Sequence, residues 1–173
     1  MVDFKQPETS GVYGAGAAQW PALEAAARRA GVNAIRVDAS GAADIDALLV
    51  DLGRSLRFPD WYGANFDALH DCLTDPGCLP PDGHLLFLTG LEILELETPE
   101  DFLILLDVLG SAAEIRRQAG HPLWVAVDAA AHRVTTDGGD VFSYGSLIWA
   151  AGGPPRKLTC PGAELAGVHG VRN

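Results

Sequence analysis

Apolar residues recur along this chain with two periods. Ile45, Leu48, Leu49, Leu52 and Leu56 repeat at helical spacing behind Asp44, a residue suited to capping, and this predicts a helix that ends before Pro59. Gln19–Ala30 reads as another helix, with Pro21 in its first turn and Gly31 just past its end. Thr98-Pro99-Glu100-Asp101 places a cap residue, a proline and two acids at the start of a long helix, expected to run to Gln118 and stop at Gly120. Between these lie strand signals: Gly11–Tyr13, Asn33–Val37, His84–Leu88 and Pro122–Val127. The last two are nearly continuous apolar runs, which implies burial on both faces and hence a parallel sheet covered by helices. Pro76–Gly83 is too rich in proline and glycine to continue a helix and reads as a loop.

The ends of the chain are less regular. Met1–Ser10 is polar and expected to be mobile. Beyond Asp128, Val134–Thr136 and Val141–Tyr144 flank Asp137-Gly138-Gly139-Asp140 as a hairpin would, and Leu147-Ile148-Trp149 is apolar enough to dock on the domain. From Gly152 onward the composition suggests an irregular tail. The division expected is an N-terminal extension over residues 1–32, a central domain over 33–128 and a C-terminal extension over 129–173.

The segment Phe58–Asp75 carries the strongest chemical signal. At helical spacing Tyr62, Phe66, Leu69 and Leu73 form an apolar stripe, while Ala64, Asp67, Asp71, Thr74 and Asp75 fall on another face. Asn65 suits the N-cap, so the macrodipole accounts for Asp67 in the first turn. Asp71 lies a turn further on, and like charges at i,i+4 repel by roughly 0.2–0.5 kcal/mol. With no Lys or Arg in the segment to answer them, the two carboxylates are placed to meet a cationic partner.

Charge extends that picture. The 173 residues carry a formal charge of -11, with a pI near 4.6. This argues against nucleic acid or an anionic membrane as direct partner and favours a basic protein. A chain of this size can bury roughly 70% of its unfolded surface as one domain. No apolar run approaches the roughly 20 residues of a bilayer span, and the first residues lack a basic and an apolar leader region, so a cytoplasmic location is expected. Three cysteines, Cys72, Cys78 and Cys160, suit reduced thiols rather than a disulfide framework, and Cys72 reads as a small buried hydrophobe.

Pro59, Tyr62, Gly63, Asn65, Asp67, Ala68, Leu69, Asp71, Cys72, Leu73 and Thr74 resemble, in this order, the barstar family of ribonuclease inhibitors, and the order of elements from about Asn33 to Asp128 also fits. The resemblance implies an α/β fold in three layers, with a small, mainly parallel three-stranded sheet, one or two extra edge strands and packed helices. It implies a non-enzymatic inhibitor, without cofactor, of a small basic ribonuclease that is secreted or acts as a toxin. By carry-over Asp71 would stand in for RNA phosphate, because a carboxylate accepts a guanidinium pair as phosphate does. Asp67 would meet a neighbouring cation or donor, Thr74 would bond at the edge and Trp61 would pack on the enzyme. Tyr62, Gly63, Asn65, His70 and Asp75 complete the expected contact surface. Two departures bear on partner choice: His70 stands where well-known members have tryptophan, and the long later helix offers Glu114 followed by Arg116 and Arg117.

Other readings stay open at this point. One is an immunity or regulatory module for another basic toxin or enzyme. A zinc site from His70, Cys72, Cys78 and His84 has suitable residue types but poor spacing. A hydrolase pairing Asp67 with Asp71 lacks the burial that would separate two carboxylate pKa values. No GxSxG, P-loop or dinucleotide fingerprint is present, and His121, His132 and His169 read as ordinary surface residues.

Overall fold

The computed structural model describes residues 2–128 and the strand segments 133–135 and 141–143. Four parallel strands form the sheet: β1 (Gly11–Gly14), β2 (Asn33–Asp38), β3 (His84–Thr89) and β4 (Leu123–Val127), in the order β1-β4-β3-β2. Every residue of β4, and all but the last of β3, is buried, as two apolar runs without alternation require. The edge strand β1 pairs with β4 from Gly11 opposite Trp124 to Gly14 opposite Val127. The N-terminal segment therefore contributes a strand to the main sheet.

Alternate residues of the central strands feed two cores. Leu85, Phe87, Trp124 and Ala126 face α1 (Trp20–Arg29) and pack with Trp20, Ala27 and Val32. Leu86, Leu88, Leu123, Val125 and Val127 face the opposite layer, made of α2 (Ile45–Leu56), α3 (Phe66–Thr74), α4 (Glu92–Glu97) and α5 (Pro99–Gln118). This is the expected three-layer α/β arrangement, with a fourth strand at one edge. The hairpin expected beyond Asp128 corresponds to β5 (Arg133–Thr135) paired antiparallel with β6 (Val141–Ser143). The expectations for Leu147–Trp149 and for the tail lie outside the described residues.

Two local expectations need correction. The leading segment is anchored rather than free: Phe4 is buried edge-on against Trp124, with ring centroids 5.1 Å apart, and Trp124 Nε1 donates to Thr9 Oγ1 at 3.0 Å. An aromatic ring four residues into the chain found an apolar slot that local polarity could not reveal. Thr98 does not cap α5 through its side chain; its hydroxyl donates back to the Leu94 carbonyl at 3.2 Å. The reason is α4, which ends one residue before α5 begins, so Thr98 serves the end of the first helix rather than the start of the second.

Candidate functional site

The acidic helix α3 is held at both ends. At its start Asn65 has extended backbone, and its side-chain oxygen accepts from Ala68 N at 2.8 Å, as the cap assignment required. Near its end lies Arg116 of α5, which is 1% exposed. Arg116 Nη1 donates to the Leu73 and Leu79 carbonyls, both at 3.1 Å, and Nη2 donates to Pro80 at 2.7 Å and Asp82 at 3.3 Å. Leu73 is in the last turn of α3, where carbonyls lack helical partners and the helix dipole is negative. One guanidinium thus closes the helix and pins the following loop. Burial lowers the Arg116 pKa, and among the described residues its Nε has no hydrogen-bond partner.

The turn into α3 is equally constrained. Arg57 and Ala64 both take left-handed backbone, with φ of 56° and 47°, reversing the chain between α2 and α3. The Tyr62 ring packs against Phe58 at 5.0 Å between centroids, and its hydroxyl donates to the Leu49 carbonyl at 3.0 Å. Burial, with a smaller contribution from Cys72, pushes the Tyr62 pKa up to about 12. Gly53 makes this packing possible, because a Cβ there would lie 2.5 Å from the Tyr62 ring. A glycine inside α2, costly for helix propensity, is thereby explained.

On this frame the expected residues separate into two groups. Trp61, 64% exposed, stands in water with Gly63, Asn65, Asp67 and Asp71. Among the described residues neither the Asp67 nor the Asp71 carboxylate has a hydrogen-bond donor or a cation. The remainder are engaged locally. Tyr62 is half-buried as described. His70 is half-buried with Nε2 3.1 Å from Ser111 Oγ of α5, and the Thr74 hydroxyl lies 2.9 Å from the His70 carbonyl and 3.1 Å from that of Asp71. The Asp75 carboxylate accepts from Gly77 N at 2.7 Å and organises the loop after the helix.

Arg116 was expected among the groups bearing on partner choice; its burial beneath α3 corrects that. Its position was legible, since residues 105, 109, 112 and 116 repeat at helical spacing and all are buried. Arg117 instead pairs with Glu114, Nε to Oε2 at 2.8 Å. That bond, with one from Gln118, holds the Glu114 carboxyl down at about 2.

The residues considered for zinc are committed elsewhere. Cys72 is fully buried in α3, and burial together with the neighbouring Cys78 thiol pushes its pKa up to about 12. His84 is buried at the start of β3, and Nδ1, facing the Asp82 carbonyl at 2.7 Å, must carry the proton. Among the described residues no group of three or more His, Cys, Asp or Glu side chains could hold a metal ion, and no helix is long and apolar enough to cross a membrane.

Comparison with known proteins adds matches of different extent. Over 47 residues, 27% of this chain, it is 49% identical to the ferredoxin reductase subunit of 5,5'-dehydrodivanillate O-demethylase from Sphingobium, covering 11% of that protein. A Sphingomonas ferredoxin–NAD(P)+ reductase matches similarly, 46% identical over 46 residues and 11% of its length. YrdF of Bacillus subtilis, named as a ribonuclease inhibitor, is 50% identical over 40 residues, which are 23% of this chain and 44% of that protein. The chain thus spans about a tenth of the two reductases and under half of YrdF. Among solved structures, the ORC2 protein of Aeropyrum pernix is 20% identical, with a TM-score of 0.44 over 69% of this chain and 34% of that chain, too distant to bear on function. The family model Barstar (barnase inhibitor) matches residues 32–128, more than half of the chain, and the chain belongs to that family.

Proposed function

We propose that this protein is a non-enzymatic, cytoplasmic inhibitor of a small basic ribonuclease, which it blocks by presenting the Asp67 and Asp71 carboxylates of α3 to the cations of the enzyme's phosphate site. The observation that carries this reading is the pair of exposed carboxylates, answered by no described residue, on a helix clamped at both ends. Clamping matters because a surface already in its bound shape loses little conformational entropy on association. Trp61 then serves as an apolar anchor beside the charges, and Gly63 and Asn65 border them. Family membership and the partial match to a protein named as a ribonuclease inhibitor support the class of target. The reading needs no cofactor, metal or turnover, and the basic enzyme would be a secreted or toxin ribonuclease held inactive inside the cell.

Inhibition assays with barnase and other small basic ribonucleases test this. The expected result is stoichiometric loss of RNA cleavage, with association that slows steeply as salt shortens the Debye length to about 8 Å near physiological conditions, while dissociation changes much less. Failure to inhibit any of them, or association insensitive to salt, contradicts the proposal. Tight binding to a basic protein that is not a ribonuclease would favour the related reading, an immunity module for another toxin.

A further inference from the structure

Four large apolar side chains left in water lie within one stretch of twelve residues: Ile93 and Leu96 of α4, and Leu103 and Ile104 of α5, with Leu96 79% exposed. Scattered exposed apolar residues are ordinary, but four on two helices separated only by Thr98 form a patch. Ile93 and Leu96, three apart, share one face of α4. Ile104 lies on the same line of α5 as Ser111, about 10 Å before the contact with His70. The patch is thus offset from the α3 carboxylates.

Its surroundings indicate the occupant. From Phe58 to Ile115 the chain has twelve Asp and Glu residues and no Lys or Arg, a formal charge of -12 against -11 for the whole chain, and seven of the twelve are on α4 and α5. Glu97, Glu100 and Asp107 are exposed beside the patch. A second copy of this chain would set one acidic frame against another, which like charges disfavour. A helix with an apolar stripe flanked by Lys and Arg satisfies both features, its stripe covering Leu96 and Ile104 and its cations meeting the carboxylates.

We propose that the α4–α5 corner is a docking surface for a basic amphipathic helix of a partner protein. This contact is separate from the α3 site and does not depend on ribonuclease inhibition. Calorimetric titration of the full chain with a synthetic Leu/Lys helix of about 18 residues tests it, using a scrambled peptide of the same composition as the control. The striped peptide should bind about tenfold more tightly than the scrambled one near physiological ionic strength. Leu96→Ser with Ile104→Ser should weaken it about tenfold while leaving the urea midpoint unchanged, because both side chains are exposed. Asp67→Ala with Asp71→Ala should change it less than about threefold. Equal affinity for the two peptides, absence of binding, or indifference to Leu96→Ser/Ile104→Ser overturns the proposal. So does sedimentation revealing a dimer that those substitutions disperse, since the occupant is then a second copy.

Discussion

The Glu24–Arg36 cluster on one face of the sheet and helix α3 on the other treat charge in opposite ways. On the α1 side Glu24 bonds Arg28 at 2.7 Å and Arg36 at 2.6 Å, and the Arg36 guanidinium lies 5.9 Å above the Trp20 ring and 5.6 Å above that of Phe87. Cation and carboxylate there satisfy each other and cover an apolar edge. On the α3–α5 side Arg54 pairs with Asp51 and Arg117 with Glu114, but among the described residues the one buried cation, Arg116, is spent on backbone carbonyls, and the carboxylates of Asp67 and Asp71 face water without a counter-charge. The Glu24–Arg36 cluster is closed within the free molecule. On the second face, α3 has its C-terminal carbonyls met by Arg116 while two of its carboxylates stay open, which is what the proposed binding face requires.

Removing the internal cation should have the largest effect. Arg116→Met strips the donor from four carbonyls around the end of α3, and we expect a loss of about 3 kcal/mol in urea denaturation, since buried acceptors without donors each cost about 1–3 kcal/mol. Stability equal to the parent would mean that the guanidinium does not clamp α3. Gly53→Ala should follow. The new Cβ collides with the Tyr62 ring, and overpacking of this kind costs about 1–3 kcal/mol even against the helix propensity gained. Inhibition should weaken with it, because Tyr62 sets the turn that carries Trp61; a stabilised variant would contradict the packing described.

A smaller effect should appear with pH. Burial, and next to it the nearby Arg116 charge, keep the His84 pKa below its usual 6.5, against the opposing pull of the Asp82 carbonyl and carboxylate. A histidine whose folded pKa is depressed takes up its proton more readily when unfolded. Its contribution is therefore present above pH about 6.5 and is lost as pH falls below that value toward the folded pKa. Denaturation at a series of pH values should show stability declining below neutrality, with a shallower slope in His84→Leu; identical slopes would remove His84 from the account. The least effect is expected on the α1 face, where Glu24→Gln should leave the urea midpoint within experimental scatter, because exposed ion pairs contribute little.

Much of this was legible in the sequence, for identifiable reasons. Strands β3 and β4 announced themselves because burial on both faces removes polar alternation, and α2 and α3 because Asp44 and Asn65 precede clear helical stripes, each with the cap hydrogen bond in place. Asp71 stood out because its repulsion from Asp67 lies beyond the first turn that the macrodipole favours, and Trp61 through the family resemblance. What stayed hidden depends on contacts distant in sequence. Phe4 is placed by Trp124 and His70 by Ser111. Arg116 could have been found from its place on the buried stripe of α5, yet its charge made it look like a surface residue. Helix α4 was missed because it is short and runs almost directly into α5.

The claim that α3 is an open, preformed binding face is tested most directly by Asp71→Ala, measured for both stability and inhibition. In the free protein the substitution relieves repulsion from Asp67 and introduces a better helix former, so urea denaturation should show a change of only a few tenths of a kcal/mol, toward greater stability. Inhibition of the cognate ribonuclease should weaken by about 2–5 kcal/mol, mostly through faster dissociation, because the enzyme's cations are left desolvated and unpaired. A variant that unfolds, or one that folds normally and inhibits at full potency, would contradict the account.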